Sequence, residues 1–121
     1  HHGKNHIWIA GGIGITPFVR MVRSLPPAYA VDLFYSVSTK DEAVYLDELT
    51  AWTAKLPQFH LILWETKVSG RLTAEKIVKS IGFDKEVFIC GPPPMMYALK
   101  KQFKKIGFSG HIHTEEFKML D

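Results

Sequence analysis

At 121 residues the chain is long enough for one compact domain, residues 1–121, and too short for two. Its 46% apolar content supports a real core, its single cysteine, Cys90, excludes an internal disulfide, and its formal charge of +3 is too mild for the dense basic stripe of a nucleic-acid binder. No run approaches the ~18–20 apolar residues of a membrane span, and no signal-peptide pattern is present.

His1-His2 reads either as a tag remnant or as native sequence. The apolar pattern starts as early as Ile7, as expected of a domain taken from the C-terminal part of a longer protein. Ile7 to Ala10 reads as a buried strand that ends in glycines. Phe18, Met21, Val22 and Leu25 then recur at the spacing of one helix face. Val31 to Tyr35 is a second strand, and Leu46, Leu49, Thr53 and Leu56 stripe a second helix. His60 to Trp64 is a third strand, and Thr73 can cap a helix running to Ile81. Val87 to Cys90 is a fourth strand, again followed by glycine and proline. Met96, Leu99, Phe103 and Ile106 stripe the last helix, Gly107 can end it, and Gly110 to Glu115 supplies a fifth strand.

Strands that alternate with helices predict an α/β three-layer sandwich: a mostly parallel five-stranded sheet flanked by helices, Rossmann-like in character. In such folds ligands bind beyond the carboxyl ends of the strands, where the strand order reverses. The first and fourth strands both end in glycine turns, so they are the natural walls of that crevice.

The turn Gly11-Gly12-Ile13-Gly14-Ile15-Thr16-Pro17 has the chemistry of a phosphate cradle. Phosphate oxygens need close approach to backbone N–H groups, and Gly11, Gly12 and Gly14 remove the β-carbons that obstruct it. Thr16 is a good N-cap and Pro17 suits the first helical position, so the helix would point its positive end at the crevice. Gly12 and Gly14 match the ordinary dinucleotide fingerprint, but Pro17 stands where its third glycine belongs. A tight structural turn is the other reading of this segment.

Taken with Cys90-Gly91-Pro92-Pro93-Pro94-Met95-Met96 and a terminal Glu115-x-Phe117, the pattern becomes specific. The chain resembles the pyridine-nucleotide domain of the ferredoxin–NADP reductase superfamily. IWIAGGIGITPF and YSVSTKDEAVYLDEL resemble its ferric reductase and NADPH oxidase branch. The resemblance implies half of a flavoenzyme: this domain binds NADPH or NADH and delivers the nicotinamide to FAD on a separate β-barrel domain of the parent chain. The barrel is absent from this sequence, so the chain alone is expected to lack turnover. The resemblance further implies a cytoplasmic protein, or the cytoplasmic face of a membrane protein whose parent carries a haem domain. A nucleotide-sensing regulatory domain without redox chemistry would use the same glycine turn.

By resemblance Cys90 lies beside the nicotinamide where the hydride leaves, whereas a buried strand cysteine is the plain alternative. Gly91 lets the backbone pass close to the cofactor, and Pro92 to Pro94 stiffen the turn and start a helix. Met95 edges the cofactor, and Met96 reads as core. The resemblance puts Glu115 near the nicotinamide and flavin, with Phe117 in the same pocket. Ser36 to Lys40 should face the adenosine ribose, with Ser38 where relatives often carry arginine. No acidic residue for a ribose 2′-hydroxyl occurs there, so Ser36, Ser38 and Lys40, with Arg71 from a later loop, favour a 2′-phosphate and hence NADPH. Lys40 and Arg71 read equally well as solvated loop charge. Lys100, Lys101, Lys104 and Lys105 form a solvated face or a docking patch on the last helix. His111 and His113 share one strand face, but two ligands without a third read as strand histidines and no metal site is expected.

Overall fold

Ile7, Trp8, Ile9 and Ala10 are fully buried, so both faces of the first strand are covered, as a parallel sheet requires. The structure is a computed structural model that describes residues 4–81 and 85–114. Five strands form one sheet: β1 (Asn5–Gly11), β2 (Ala30–Val37), β3 (Phe59–Glu65), β4 (Glu86–Cys90) and β5 (Ile112–His113). Their order is β3-β2-β1-β4-β5, and every neighbouring pair is parallel.

Among the described residues five α-helices accompany them: α1 (Thr16–Arg23), α2 (Leu46–Lys55), the single turn α3 (Thr66–Ser69), α4 (Ala74–Ile81) and α5 (Pro93–Lys105). Period-two alternation divides the strand residues between two cores. Trp8, Ala10, Leu33, Tyr35 and Phe88 face Phe18, Met21, Val22 and Leu49 of α1 and α2. Ile7, Ile9, Phe34, Val87 and Ile89 face Ala74, Ile77, Met96, Leu99 and Phe103 of α4 and α5. The expected three layers are therefore present. The chain winds outward from β1 to β3, then returns through α4 to place β4 on the other side of β1. That reversal puts the topological switch point between β1 and β4.

Several sequence signals act as expected. The Thr73 hydroxyl accepts from the Lys76 N–H at 3.3 Å and so caps α4. Gly107, at φ 85°, ends α5: its N–H donates to Lys104 and that of Phe108 to Phe103, while the Phe103 and Phe108 rings pack 5.2 Å apart. Both bonds and the ring contact are those of a Schellman ending. Met96 is buried in the core.

Two expectations need correction. On α2 the core contact after Leu49 is Trp52, not Thr53, whose hydroxyl donates to the Thr50 carbonyl. The fifth strand is confined to Ile112–His113 within the described residues, shorter than the expected Gly110 to Glu115. Gly110 serves the approach to it, because a Cβ there would stand 2.8 Å from the Lys85 carbonyl oxygen.

Candidate functional site

At the switch point Ala10 pairs with Cys90 and Gly11 with Ser36, so the carboxyl ends of three strands stand side by side. From Gly11 the chain enters a 3-10 turn, Gly12–Ile15, that runs directly into α1. The helical run thus begins earlier than expected. Thr16 is not the N-cap: it is the first residue of α1, and its hydroxyl donates to the Ile13 carbonyl at 3.2 Å. Pro17 follows as the second helical residue, where a missing N–H costs nothing. No side chain caps either helical start, and neither first turn carries an acidic residue. The N–H groups without a helical acceptor are the earliest ones, from Gly12 onward.

The glycines of this turn do different work. A Cβ on Gly14 would stand 2.2 Å from the Cys90 carbonyl oxygen, and one on Gly11 would stand 2.3 Å from Met95 Sδ. Gly91 is less tightly confined, with a Cβ position 2.9 Å from Met95 Sδ and 3.2 Å from the Gly11 nitrogen. These three let the β1 and β4 turns press together around Met95. Gly12 alone fronts open space, and its φ of 55° lies in the left-handed region that favours glycine. Ile15 points inward and is fully buried.

The opposite wall starts from Cys90, which is half-buried. Pro92 is the N-cap of α5, and Pro93 and Pro94 occupy its first turn. The Pro92 carbonyl accepts from the N–H groups of Met95 and Met96 at 2.9 and 3.2 Å. Beside this wall lies a hollow of about 330 Å³ lined by Ser36, Thr66, Arg71, Leu72, Pro92, Pro94, Met95, Ala98, Leu99 and Gln102. The loop bearing Arg71 is pinned from both sides: the Trp64 indole donates to the Gly70 carbonyl, and the Lys76 ammonium to the Arg71 carbonyl, each at 2.8 Å. Arg71 itself is exposed at the rim.

Of the expected ribose-facing set, Ser36 and Arg71 are brought together and Lys40 is not. Lys40 lines a second hollow with Thr39, Asp41, Asp47 and Glu65, and its backbone N–H donates to the Glu65 carboxylate at 2.8 Å. The Thr39 hydroxyl bonds Asp41 and lowers that carboxyl below its ordinary value. Lys40 therefore sits among carboxylates, the reverse of a phosphate-gathering pair. The Ser38 carbonyl accepts from the Lys67 N–H at 3.2 Å, which ties the end of β2 to α3. Glu115 and Phe117 lie outside the described residues.

Thr66, Leu72, Ala98 and Gln102 carry no motif that marks them in the sequence. Pro94, Ala98 and Gln102 recur every four residues on α5, so the helical spacing could have extended the site from Met95 along that face. Gln102 also holds the wall in place, accepting from the Ala74 N–H at 2.9 Å. His111 and His113 also differ from expectation, because parallel pairing of β5 with β4 supplies a third donor, Glu86.

Comparisons with known proteins agree with this geometry. The family model described as an oxidoreductase NAD-binding domain matches residues 8–101. A carnitine monooxygenase reductase subunit of Acinetobacter baumannii is 33% identical over 95% of this chain and 36% of its own length. An NADH-cytochrome b5 reductase 1 of Pyricularia oryzae is 34% identical over 83% of this chain and 38% of its own length. The chain thus spans little more than a third of these curated relatives. A flavohemoglobin from Malassezia yamatoensis, solved with bound FAD and heme, superposes with a TM-score of 0.79 at 23% identity over 93% of this chain and 31% of that one. The CS-b5R domains of human Ncb5or, in their NAD+ form, give 0.76 at 20% identity over 92% of this chain and 36% of theirs. No helix among the described residues is long and apolar enough to cross a membrane.

Proposed function

Because the chain belongs to the oxidoreductase NAD-binding domain family, we propose that it binds NAD(P)H across the carboxyl ends of β1 and β4. It then presents the nicotinamide to FAD on another domain of a longer flavoprotein. The observation that carries this reading is the pair of turns at the switch point, one open at Gly12 and the other ending β4 at Cys90. The residues suit a dinucleotide in their chemistry. The early N–H groups from Gly12 to Gly14, with the positive end of the helical run behind them, suit the diphosphate. The hollow lined by Ser36, Arg71, Leu72 and Ala98 suits the adenosine half, with aliphatic walls and polar groups at the rim.

Cys90 and Gly91 then border the nicotinamide, and Pro92 and Met95, which also line the hollow, stand between the two halves. When bound, the nicotinamide supplies the hydride, and the protein contributes orientation and exclusion of water. A small thiol at the end of β4 leaves room for a flat ring to lie across the strand end. Glu115 and Phe117 complete this pocket in the proposal, on the strength of the terminal E-x-F motif. Arg71 supplies the charge for a ribose 2′-phosphate, so NADPH is the preferred nucleotide. The likeness of IWIAGGIGITPF and YSVSTKDEAVYLDEL to the ferric reductase and NADPH oxidase branch supports a cytoplasmic flavin site in the parent, with ferric iron, oxygen, haem or an iron–sulfur protein as the electron acceptor.

The test is stopped-flow reduction of the parent flavoprotein. NADPH should bleach the oxidised flavin absorbance in a single kinetic phase, and a Cys90→Ala variant should slow that phase while leaving nucleotide affinity nearly unchanged. A parent protein that binds the nucleotide yet carries no flavin would remove the enzymatic reading and leave a sensor.

A further inference from the structure

At the end of the sheet away from the glycine turns, Glu86, His111 and His113 bring one donor atom each to within 4.8 Å of one another. The arrangement follows from register. Val87 pairs with Ile112 and Phe88 with His113, so Glu86 and the two histidines fall on one face of adjacent parallel strands. Glu86 is 7% exposed, whereas His111 stands at the open edge. The His113 ring stacks on Phe88 with centroids 4.4 Å apart and planes 16° apart, which fixes its orientation. Its Nε2 is held 2.5 Å from Glu86 Oε2. His6, opposite Glu86 on β1, accepts from the Trp8 indole through Nδ1 and packs against Phe88, and it backs the cluster without joining it.

We propose that Glu86, His111 and His113 form a site for a divalent transition-metal ion of the zinc class, clipping β5 to β4. Two imidazoles and one carboxylate are borderline ligands suited to zinc. Zinc–nitrogen and zinc–oxygen bonds of about 2.0–2.2 Å place neighbouring tetrahedral ligands roughly 3.4 Å apart, a spacing compatible with donors that lie within 4.8 Å of one another. The site lies apart from the nucleotide crevice and serves a structural purpose: among the described residues β5 is the two-residue strand Ile112–His113, and an ion held by both strands fixes that short edge.

The test titrates cobalt(II) into the 121-residue chain with His1 and His2 replaced by alanine, so that this pair cannot compete. The ligand-field absorption is followed, and zinc is then added to displace the cobalt. One cobalt ion per chain is expected, with at least tenfold weaker binding in His111→Ala and in Glu86→Gln. Because His111 is exposed, its variant keeps the fold and isolates the ligand effect. Zinc should also raise the Tm of the parent chain and not that of His111→Ala. Absence of a cobalt band at millimolar metal, or affinity unchanged in either variant, overturns the proposal.

Discussion

Gly14 and the Cys90 carbonyl meet so closely that a β-carbon on Gly14 would lie 2.2 Å from the oxygen. This contact joins the two turns that define the crevice. The obstacle is backbone, which cannot rotate aside. Gly14→Ala should therefore destabilise the fold by about 1–3 kcal/mol, as overpacking does. On Gly11 the nearest obstacle is the flexible Met95 side chain, so Gly11→Ala should cost less. Urea unfolding of both variants checks the ranking, and a larger loss at Gly11 would show that the turns are not locked through Gly14.

Arg71 and Lys40 should separate in a nucleotide-specificity experiment. Arg71 lines the hollow shared with Ser36, whereas Lys40 lies among Asp41, Asp47 and Glu65. Arg71→Ala is expected to weaken NADPH about tenfold, the loss of one charge-assisted contact of about 1.5 kcal/mol, and to leave NADH nearly unchanged. Lys40→Ala should alter neither. Equal weakening of both nucleotides by Arg71→Ala would remove the basis for preferring NADPH.

Acid stability should report the pair between Arg23 and Glu48. The guanidinium donates to both carboxylate oxygens at 2.7 Å, and the Trp52 indole adds a bond at 3.0 Å. The Arg23 bonds, followed by the Trp52 bond, lower the Glu48 carboxyl from 4.5 to about 2. A depressed carboxyl contributes stability above its unfolded value and loses it as pH falls through the folded one. The contribution is therefore complete above about pH 4.5 and lost toward pH 2. Glu48→Gln should be less stable than the parent at pH 6, and the gap should narrow across that window in urea unfolding. A gap independent of pH would assign the loss to packing.

The fold was legible where one local signal decides one local structure. Ile7 to Ala10, the Thr73 cap and the Gly107 ending all rest on neighbours within a few residues, and each is found in place. Thr16 misleads because its capping propensity is local, whereas the helical run starts four residues earlier in a glycine-permitted turn. Lys40 misleads because its surroundings are set by Glu65 on a neighbouring strand. Glu86 is invisible as a partner of His111 and His113 for the same reason, since only strand register joins residues so far apart in sequence. The glycine turn was legible as a motif, but not the division of labour within it, which depends on how β4 packs against β1.

The central claim is that the open backbone at Gly12 receives a dinucleotide diphosphate. Gly12→Asp tests it directly: aspartate tolerates the left-handed backbone at φ 55° and places a carboxylate where the phosphates would lie. Calorimetric titration of the chain with NADPH should give one site per chain, with binding at least tenfold weaker in Gly12→Asp and an unchanged circular dichroism spectrum. No binding of NADPH or NADH at millimolar concentration, or equal affinity in the variant, would contradict the account.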